Sequence, residues 1–192
     1  MTTTPDKLLT AALTLIARHG FDGFSMKDLA GEAGVAAGTA YRHFTDREAL
    51  LEAAYLHVLT GVARCLFVAD EHDLDFAQYQ RWWHRLWRHC EANPTHVLSQ
   101  FQFELLPRQR SETLLLAKAA LFAPITDFFD RGRAQGYWVD LPNDVLGLLT
   151  FETLGHLALR QARGEHLSTA VIEQTCLSTF TAISAGPFLE NP

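Results

Sequence analysis

The periodicity of the apolar residues constrains the fold of this chain more than any other feature of its sequence. Apolar side chains recur every three to four residues almost throughout, which is the period of an amphipathic α-helix. Few stretches show the period of two that is typical of half-buried strands, and repeats of fixed length are not evident. The sequence therefore predicts an all-α protein.

Capping and helix-breaking residues divide this pattern into about nine helices. Pro5 stands in the first turn of the first helix, Gly20 follows its end, and Ser25 is a good N-cap for the second helix. Short helices precede long ones, which predicts a compact N-terminal head at 1–46 and a larger helical body at 47–192. The predicted helices lie near 5–18, 25–33, 36–43, 47–67, 75–91, 94–103, 109–135, 142–163 and 167–184.

Composition narrows the class of protein. Of 192 residues, 48% are hydrophobic, which is enough apolar surface for a full core. Acidic residues number 22 against 16 basic ones, which argues against a protein that binds polyanions through its overall charge. Cys65, Cys90 and Cys176 are spaced too widely for a disulfide framework or paired zinc ligands. Without a signal-peptide pattern or an apolar run of roughly 20 residues, the expected location is the cytoplasm.

Residues 25–44 have the spacing of a helix-turn-helix, with a short helix, a turn that contains Gly34 and a second short helix. In the second helix, one set of residues recurs at steps of three and four and is expected to pack inward, and another set points outward toward the major groove of DNA. The inward set is Ala33, Ala36, Ala40 and Phe44, and the outward set is Gly38, Thr39, Tyr41 and Arg42.

Several residues of this region match a known pattern: Gly20-Phe21, Ser25, Leu29-Ala30, Ala33-Gly34-Val35, Gly38, Tyr41, His43-Phe44, Arg47 and Leu50. With them the chain resembles the tetracycline-repressor (TetR) family of bacterial transcription factors. Beyond residue 50 the resemblance rests on helix lengths and on the Gly-x-x-x-Gly-Tyr pattern at 132–137. It implies a DNA-binding head at 1–46 and a ligand-binding and dimerisation body at 47–192. The whole would be a homodimeric regulator, expected to be a repressor, that binds a palindromic operator in double-stranded DNA.

The resemblance also implies the residues that contact DNA. Thr39 suits a base edge, Arg42 suits a guanine or a phosphate, and Tyr41 and His43 resemble phosphate contacts. Alternatives stay open, because a tyrosine also packs and a histidine also caps. The predicted set is Ser25, Lys27, Ala37, Gly38, Thr39, Tyr41, Arg42, His43 and Arg47.

Three features of the head bear on its predicted affinity for DNA. Ala36 replaces the serine or threonine that often caps the recognition helix, and Ala37 replaces a frequent polar contact. Gly38 costs a helix roughly 1 kcal/mol relative to alanine, which close approach to DNA or close helix packing would explain. Residues 1–50 hold five basic and six acidic side chains, so we expect weak electrostatic affinity and a contribution from DNA shape.

Aromatic residues are concentrated in the predicted helix at 75–91. One stripe holds Phe76, Tyr79, Trp83, Leu86, Trp87 and Cys90, which is typical of a core and equally of a pocket for an apolar or aromatic effector. Glu152 and His156 stand one turn apart in an apolar helix, where they would pair with each other or face the ligand. The predicted effector site is Tyr79, Trp82, Trp83, Trp87, Phe101, Phe103, Phe122, Glu152 and His156.

The last two predicted helices are apolar around more than one face. One core covers one face, so a second chain in a two-fold four-helix bundle is expected on the other, with Gly147 and Gly155 allowing close approach. Packing within the monomer is the alternative. The predicted dimer interface is Leu146, Leu149, Thr153, Leu157, Val171, Thr175 and Leu177.

Motifs of catalysis do not appear in the sequence. It contains no HExxH, paired CxxC, nucleotide-binding glycine loop or GxSxG elbow, so we expect neither an enzyme nor a metal or cofactor site. The acidic head leaves one competing hypothesis, a helical ligand sensor that does not bind specific DNA.

Overall fold

The computed structural model describes residues 3–68, 71–105 and 111–185, and the side chains of these residues apart from 104 and 105. Within them the chain forms eleven α-helices, one π-helical turn and an isolated β-bridge, which confirms the predicted all-α class. The helices are α1 (Thr4–His19), α2 (Met26–Glu32), α3 (Ala37–His43), α4 (Arg47–Leu66), α5 (Phe76–Ala92), α6 (Pro94–Leu105), α7 (Glu112–Leu121), α8 (Ala123–Ala134), α9 (Asn143–Gly147), the π turn (Leu148–Glu152), α10 (Thr153–Ala162) and α11 (Thr169–Ile183).

The tertiary contacts divide the described residues into two compact units. Unit 1 comprises those of Met1–Gly61 and Thr95–Ala119, and unit 2 those of Val62–Pro94 and Ala120–Pro192. Unit 1 thus takes in more of the chain than the head predicted at 1–46, and that boundary stays a prediction.

The core of unit 1 is built on α1 and the first part of α4. Reciprocal side-chain and backbone hydrogen bonds between Thr3 and Asp6 cap α1 at its N-terminus. Helix α4 has the length and composition of a membrane span, but so do core helices, and its Leu50 and Tyr55 are buried within the unit. The Phe103 ring lies 4.9 Å from the rings of both Phe21 and Tyr55.

The core of unit 2 is a cluster of aromatic rings. Tyr79, Trp82 and Trp83 of α5 are each at most 2% exposed. Trp82 lies 5.4 Å from Phe128, and Tyr79 lies 5.3 Å from Phe180. Residues of the aromatic stripe predicted on α5 are therefore core, and so is Trp82, which lies outside the predicted stripe.

The Gly-x-x-x-Gly-Tyr pattern at 132–137 ends α8 and seats a tryptophan. Gly136 has a φ of 73°, the left-handed conformation that stops the helix. A Cβ on Gly132 would lie 1.6 Å from Nε1 of Trp138, so only glycine lets this indole lie against the helix. The Trp138 Nε1 donates to the Phe128 carbonyl at 3.0 Å.

Two of the predicted helices differ from the structure. The segment 109–135, in the part described, is two helices because Pro124 begins a new first turn in α8. The segment 142–163 contains the π turn, where the Thr150 and Thr153 hydroxyls donate to the Leu146 and Leu148 carbonyls at 2.6 and 2.9 Å. A π turn inserts a residue into the helical register, so it changes which side chains share a face.

Candidate nucleic-acid interface

The helix-turn-helix is set by local interactions that its own residues provide. The Ser25 side chain accepts from the Asp28 backbone N–H at 3.2 Å and donates to the Asp28 carboxylate at 2.7 Å, and this bond lowers the pKa of Asp28. Gly34 has a φ of 66°, and the Val35 N–H donates to the Ala30 carbonyl across the turn. These contacts fix where α2 ends and α3 begins.

Helix α3 presents one exposed face. Ala40 is completely buried, as predicted for the inward side, whereas Ala36 of the same predicted set is exposed. Tyr41 is 58% exposed, so the alternative that it is a packing tyrosine is wrong. Thr39 is half-buried. The exposed residues of the helix are Ala37, Gly38, Tyr41, Arg42 and His43.

Gly38 lies on this exposed face without a packing role. A Cβ built on it meets no atom within 4 Å among the described residues, so close packing of helices does not explain the glycine. Ala36 provides no side-chain cap for α3, as expected. Close approach of the Gly38 backbone to DNA stays a prediction.

Arg47, a predicted DNA contact, is bound within the protein instead of being exposed. Its Nη1 donates to the Phe24 carbonyl at 3.1 Å, and its guanidinium carbon lies 4.9 Å from the centre of the Phe24 ring. Nε and Nη2 are buried and have no partner among the residues that the structure describes. The guanidinium is therefore turned toward the segment before α2, whereas Lys27 and Arg42 are exposed.

The predicted effector residues of α5 are packed and mostly satisfied. The hydroxyls of Tyr79 and Thr179 are 2.8 Å apart, and burial raises the pKa of Tyr79. The Trp82 Nε1 donates to Glu71 at 3.1 Å, whereas the Trp83 Nε1 has no partner among the described residues. Within unit 2, these rings are core.

The other predicted effector residues have varied environments. Phe103, with Phe101 nearby in sequence, belongs to unit 1, and Phe122 lies 6.5 Å from Phe67 in unit 2. Glu152 and His156 are exposed, so the argument that their charges are buried in an apolar helix does not hold. The π turn, which the sequence periodicity did not indicate, lies between α9 and α10 and ends at Glu152.

A cavity of about 300 Å³ in unit 2 was not predicted as a whole. Only Trp87 belongs to the predicted effector site, and no sequence signal links the α5 residues to those of α10, which lie some seventy positions later. The cavity is lined by Trp87, Cys90, Glu91, Pro94, Ala158, Gln161, Ala162 and Gly164.

The predicted dimer residues fall into two groups. Leu146 is completely buried and Leu157 is 9% exposed, so both belong to the core of unit 2, contrary to their expected role on an outer face. Val171 and Leu177 of α11 are 43% and 42% exposed, and Leu149, Thr153 and Thr175 are half-buried. Leu148, the first residue of the π turn, is not in the predicted interface and is 53% exposed.

Comparison with known proteins agrees with this geometry. Residues 8–54 match the family described as bacterial regulatory proteins, tetR family, and residues 75–184 match a tetracyclin repressor-like C-terminal domain. An uncharacterized HTH-type transcriptional regulator of Haemophilus influenzae is 31% identical over 159 residues, which are 80% of each chain.

Solved structures show the same fold. A TetR family transcriptional regulator from Vibrio parahaemolyticus superimposes with a TM-score of 0.78 at 32% identity, over 94% of this chain and 98% of that one. One from Marinobacter aquaeolei VT8 gives a TM-score of 0.86 at 22% identity, over 95% and 96% of the two chains.

An exposed recognition helix followed by a helical C-terminal domain defines a class of DNA-binding transcription regulators. The chain belongs to the TetR family of that class, which confirms the resemblance seen in its first 50 residues. Members of the family bind DNA and usually act as dimers. Because the family and these relatives are regulators, the prediction that the chain is not an enzyme is also confirmed.

Proposed function

We propose that this protein is a cytoplasmic, homodimeric repressor that binds a palindromic operator and is released by a small, largely apolar or aromatic effector. The observation that carries the proposal is the exposed face of α3, where Gly38 has no packing role and Tyr41 and Arg42 are open to a ligand. Such a face suits a helix that enters the major groove.

The proposed DNA contacts divide by chemistry. Ala37, Gly38 and Thr39 face the bases, with few hydrogen bonds to offer, so specificity depends partly on DNA shape. Phosphate contacts come from the exposed Lys27, Tyr41, Arg42 and His43. Ser25 and Arg47 join the set only if they give up their bonds to Asp28 and Phe24.

Exposed apolar residues on α11 and the π turn support the proposed dimer. Leu148, Val171 and Leu177 are each more than two-fifths exposed, and they lie in the helices that are expected to form the two-fold bundle. A Cβ on Gly147 would meet nothing within 4 Å among the described residues, so packing against them does not account for that glycine. A second copy would bury these residues in an isologous contact.

Release follows from a difference in affinity. The effector binds more tightly to a conformer whose two heads no longer fit successive major grooves, and the loss of operator affinity equals that difference. Helix α4 starts directly after the helix-turn-helix, so a change in its position would be transmitted to the heads.

Selection from random duplexes, followed by fluorescence anisotropy with the enriched site, tests the proposal. We expect an inverted repeat bound by a dimer, and weaker binding of Tyr41→Phe, which lacks the proposed phosphate donor. Leu148→Asp should give a monomer. Leu116→Asp, the same substitution at a residue 64% exposed on α7, should stay dimeric. Enrichment of no symmetric site would favour the competing hypothesis, a ligand sensor without specific DNA, which the acidic head supports.

A further inference from the structure

We infer that the cavity in unit 2 binds a small organic cation, an amine whose apolar body is about the size of one aromatic ring. The inference rests on the proposed effector response, because it specifies the ligand of that response. At about 300 Å³ the cavity lies at the lower end of the volumes typical of ligand pockets.

Most of the cavity wall is apolar. Trp87 and Cys90 are three positions apart on α5, and Ala158 and Ala162 are four apart on α10, so each pair lies on one helical face. Burial, with further contributions from Cys65 and Glu91, raises the pKa of the Cys90 thiol to about 12. The thiol is therefore protonated at neutral pH and acts as a small apolar group.

The one charged side chain that lines the cavity is Glu91. Its Oε1 accepts from the Gln161 Nε2 at 2.9 Å, and Gln161 in turn accepts from the Leu167 N–H at 3.4 Å. Among the described residues no partner is seen for the second carboxylate oxygen of Glu91. The carboxylate is thus held at the cavity with one oxygen open to a donor.

These features select the charge of the ligand. Tryptophan attracts cations more strongly than any other ring, and the nearby carboxylate adds a direct ion pair. An anion of the same size would face the Glu91 charge, and a neutral molecule would gain only apolar contact. A protonated amine with an apolar body the size of one ring can contact the apolar wall through its body and pair with the Glu91 carboxylate through its charge.

Isothermal titration calorimetry of the full chain with three probes of one shape tests the inference. Phenethylamine should bind about tenfold more tightly than 2-phenylethanol, and phenylacetate should bind most weakly. Glu91→Gln should remove the ion-pair part of the preference for phenethylamine over the alcohol, leave the weaker part that comes from the Trp87 ring, and leave the affinity for the alcohol unchanged. Glu112→Gln, a matched change at an exposed glutamate of α7, should have no effect. Equal binding of the three probes, or a Glu91→Gln variant whose preference for the amine is as large as in the wild type, would overturn the inference.

Filling the cavity provides a second, independent test. Ala162→Leu, at a half-buried position on the cavity wall, should abolish the binding of phenethylamine and of the alcohol together. Unchanged binding in this variant, with its helical circular dichroism intact, would place the probes elsewhere and overturn the inference. Glu91 is exposed, so its variant decides the question even if Ala162→Leu fails to fold.

Operator binding separates this inference from the proposed function. If phenethylamine binds in a Glu91-dependent manner and weakens operator binding, both stand. If it binds in that manner while the protein selects no operator, the cavity assignment stands and the proposed repressor function fails. If an operator is found but no probe binds, the cavity assignment alone is refuted.

Discussion

Arg42 and Arg47 were both predicted to contact DNA, but the structure gives their side chains different environments. Arg42 is exposed on α3, whereas the guanidinium of Arg47 donates to the Phe24 carbonyl and lies over the Phe24 ring. A cation that binds phosphate releases counterions, and one that binds within the protein does not. We therefore predict that Arg42→Ala changes the salt dependence of operator binding and that Arg47→Ala does not.

The expected size of the change follows from one contact in each head. Each phosphate contact contributes roughly 0.9 to the slope of log affinity against log salt, so two heads contribute roughly 1.8. Between about 50 and 200 mM salt this slope corresponds to about a tenfold change in affinity. The wild type should therefore lose about tenfold more affinity over this range than Arg42→Ala.

Arg47→Ala should have a small effect on stability as well. It removes a charged hydrogen bond of about 1.5 to 3 kcal/mol, but also two buried nitrogens that have no partner among the described residues, each of which costs roughly 1 to 3 kcal/mol. Because these contributions oppose each other, we expect a change in the free energy of unfolding of about 1 kcal/mol or less.

Anisotropy titrations at several KCl concentrations, with urea unfolding of each variant, measure both quantities. Arg88→Ala, which removes an exposed cation from α5, is the control for net charge. If Arg47→Ala reduces the slope as much as Arg42→Ala, the Arg47 guanidinium leaves Phe24 and binds a phosphate in the complex. That result would refute the prediction that Arg47 keeps its contact with Phe24 on DNA.

Two further predictions concern the stability of unit 2. Gly132→Ala forces the Trp138 indole off α8 and should lower the free energy of unfolding by about 1 to 3 kcal/mol in urea; an unchanged midpoint would contradict the packing described here. Glu71→Gln removes the ion-pair partner of Arg85, an arginine that also donates to the Leu66 carbonyl at the end of α4. This change should lower the free energy of unfolding by about 3 kcal/mol near neutral pH. The Arg85 hydrogen bond lowers the pKa of Glu71 below its ordinary 4.5, so this contribution is present above that pH and is lost as the pH falls through the lowered value. The stability difference between wild type and Glu71→Gln should therefore shrink on acidification, and a difference independent of pH would show that the charge is not its source.

Features that depend on neighbouring residues in the sequence could be predicted. The N-cap of α2 at Ser25, the turn at Gly34 and the exposed side of α3 each follow from a few consecutive residues, because caps, left-handed turns and helical faces are local. For the same reason, the sequence predicts the helices and the turn of the helix-turn-helix in more detail than the rest of the fold.

Features that depend on a choice between bonding partners could not be predicted. The π turn arises where the Thr150 and Thr153 hydroxyls bond to backbone carbonyls, and a period of 3.6 contains no sign of the added residue. Leu148, which begins that turn, is exposed and does not belong to the predicted interface. The conformation of Arg47 is a similar case, because its alternatives, a phosphate and the Phe24 carbonyl, are both good acceptors.

The aromatic residues of α5 show why ring content does not distinguish a core from a pocket. A buried polar atom requires a partner, and within unit 2 the Tyr79 hydroxyl has Thr179 and the Trp82 indole has Glu71. Rings whose polar atoms are already satisfied leave a ligand little to bind. Trp87, one of the predicted rings, lines the cavity of unit 2. The charged group of that cavity is the Glu91 carboxylate, and the sequence around Glu91 indicates only the end of a helix. The search for an effector should therefore begin with the acidic group beside the ring.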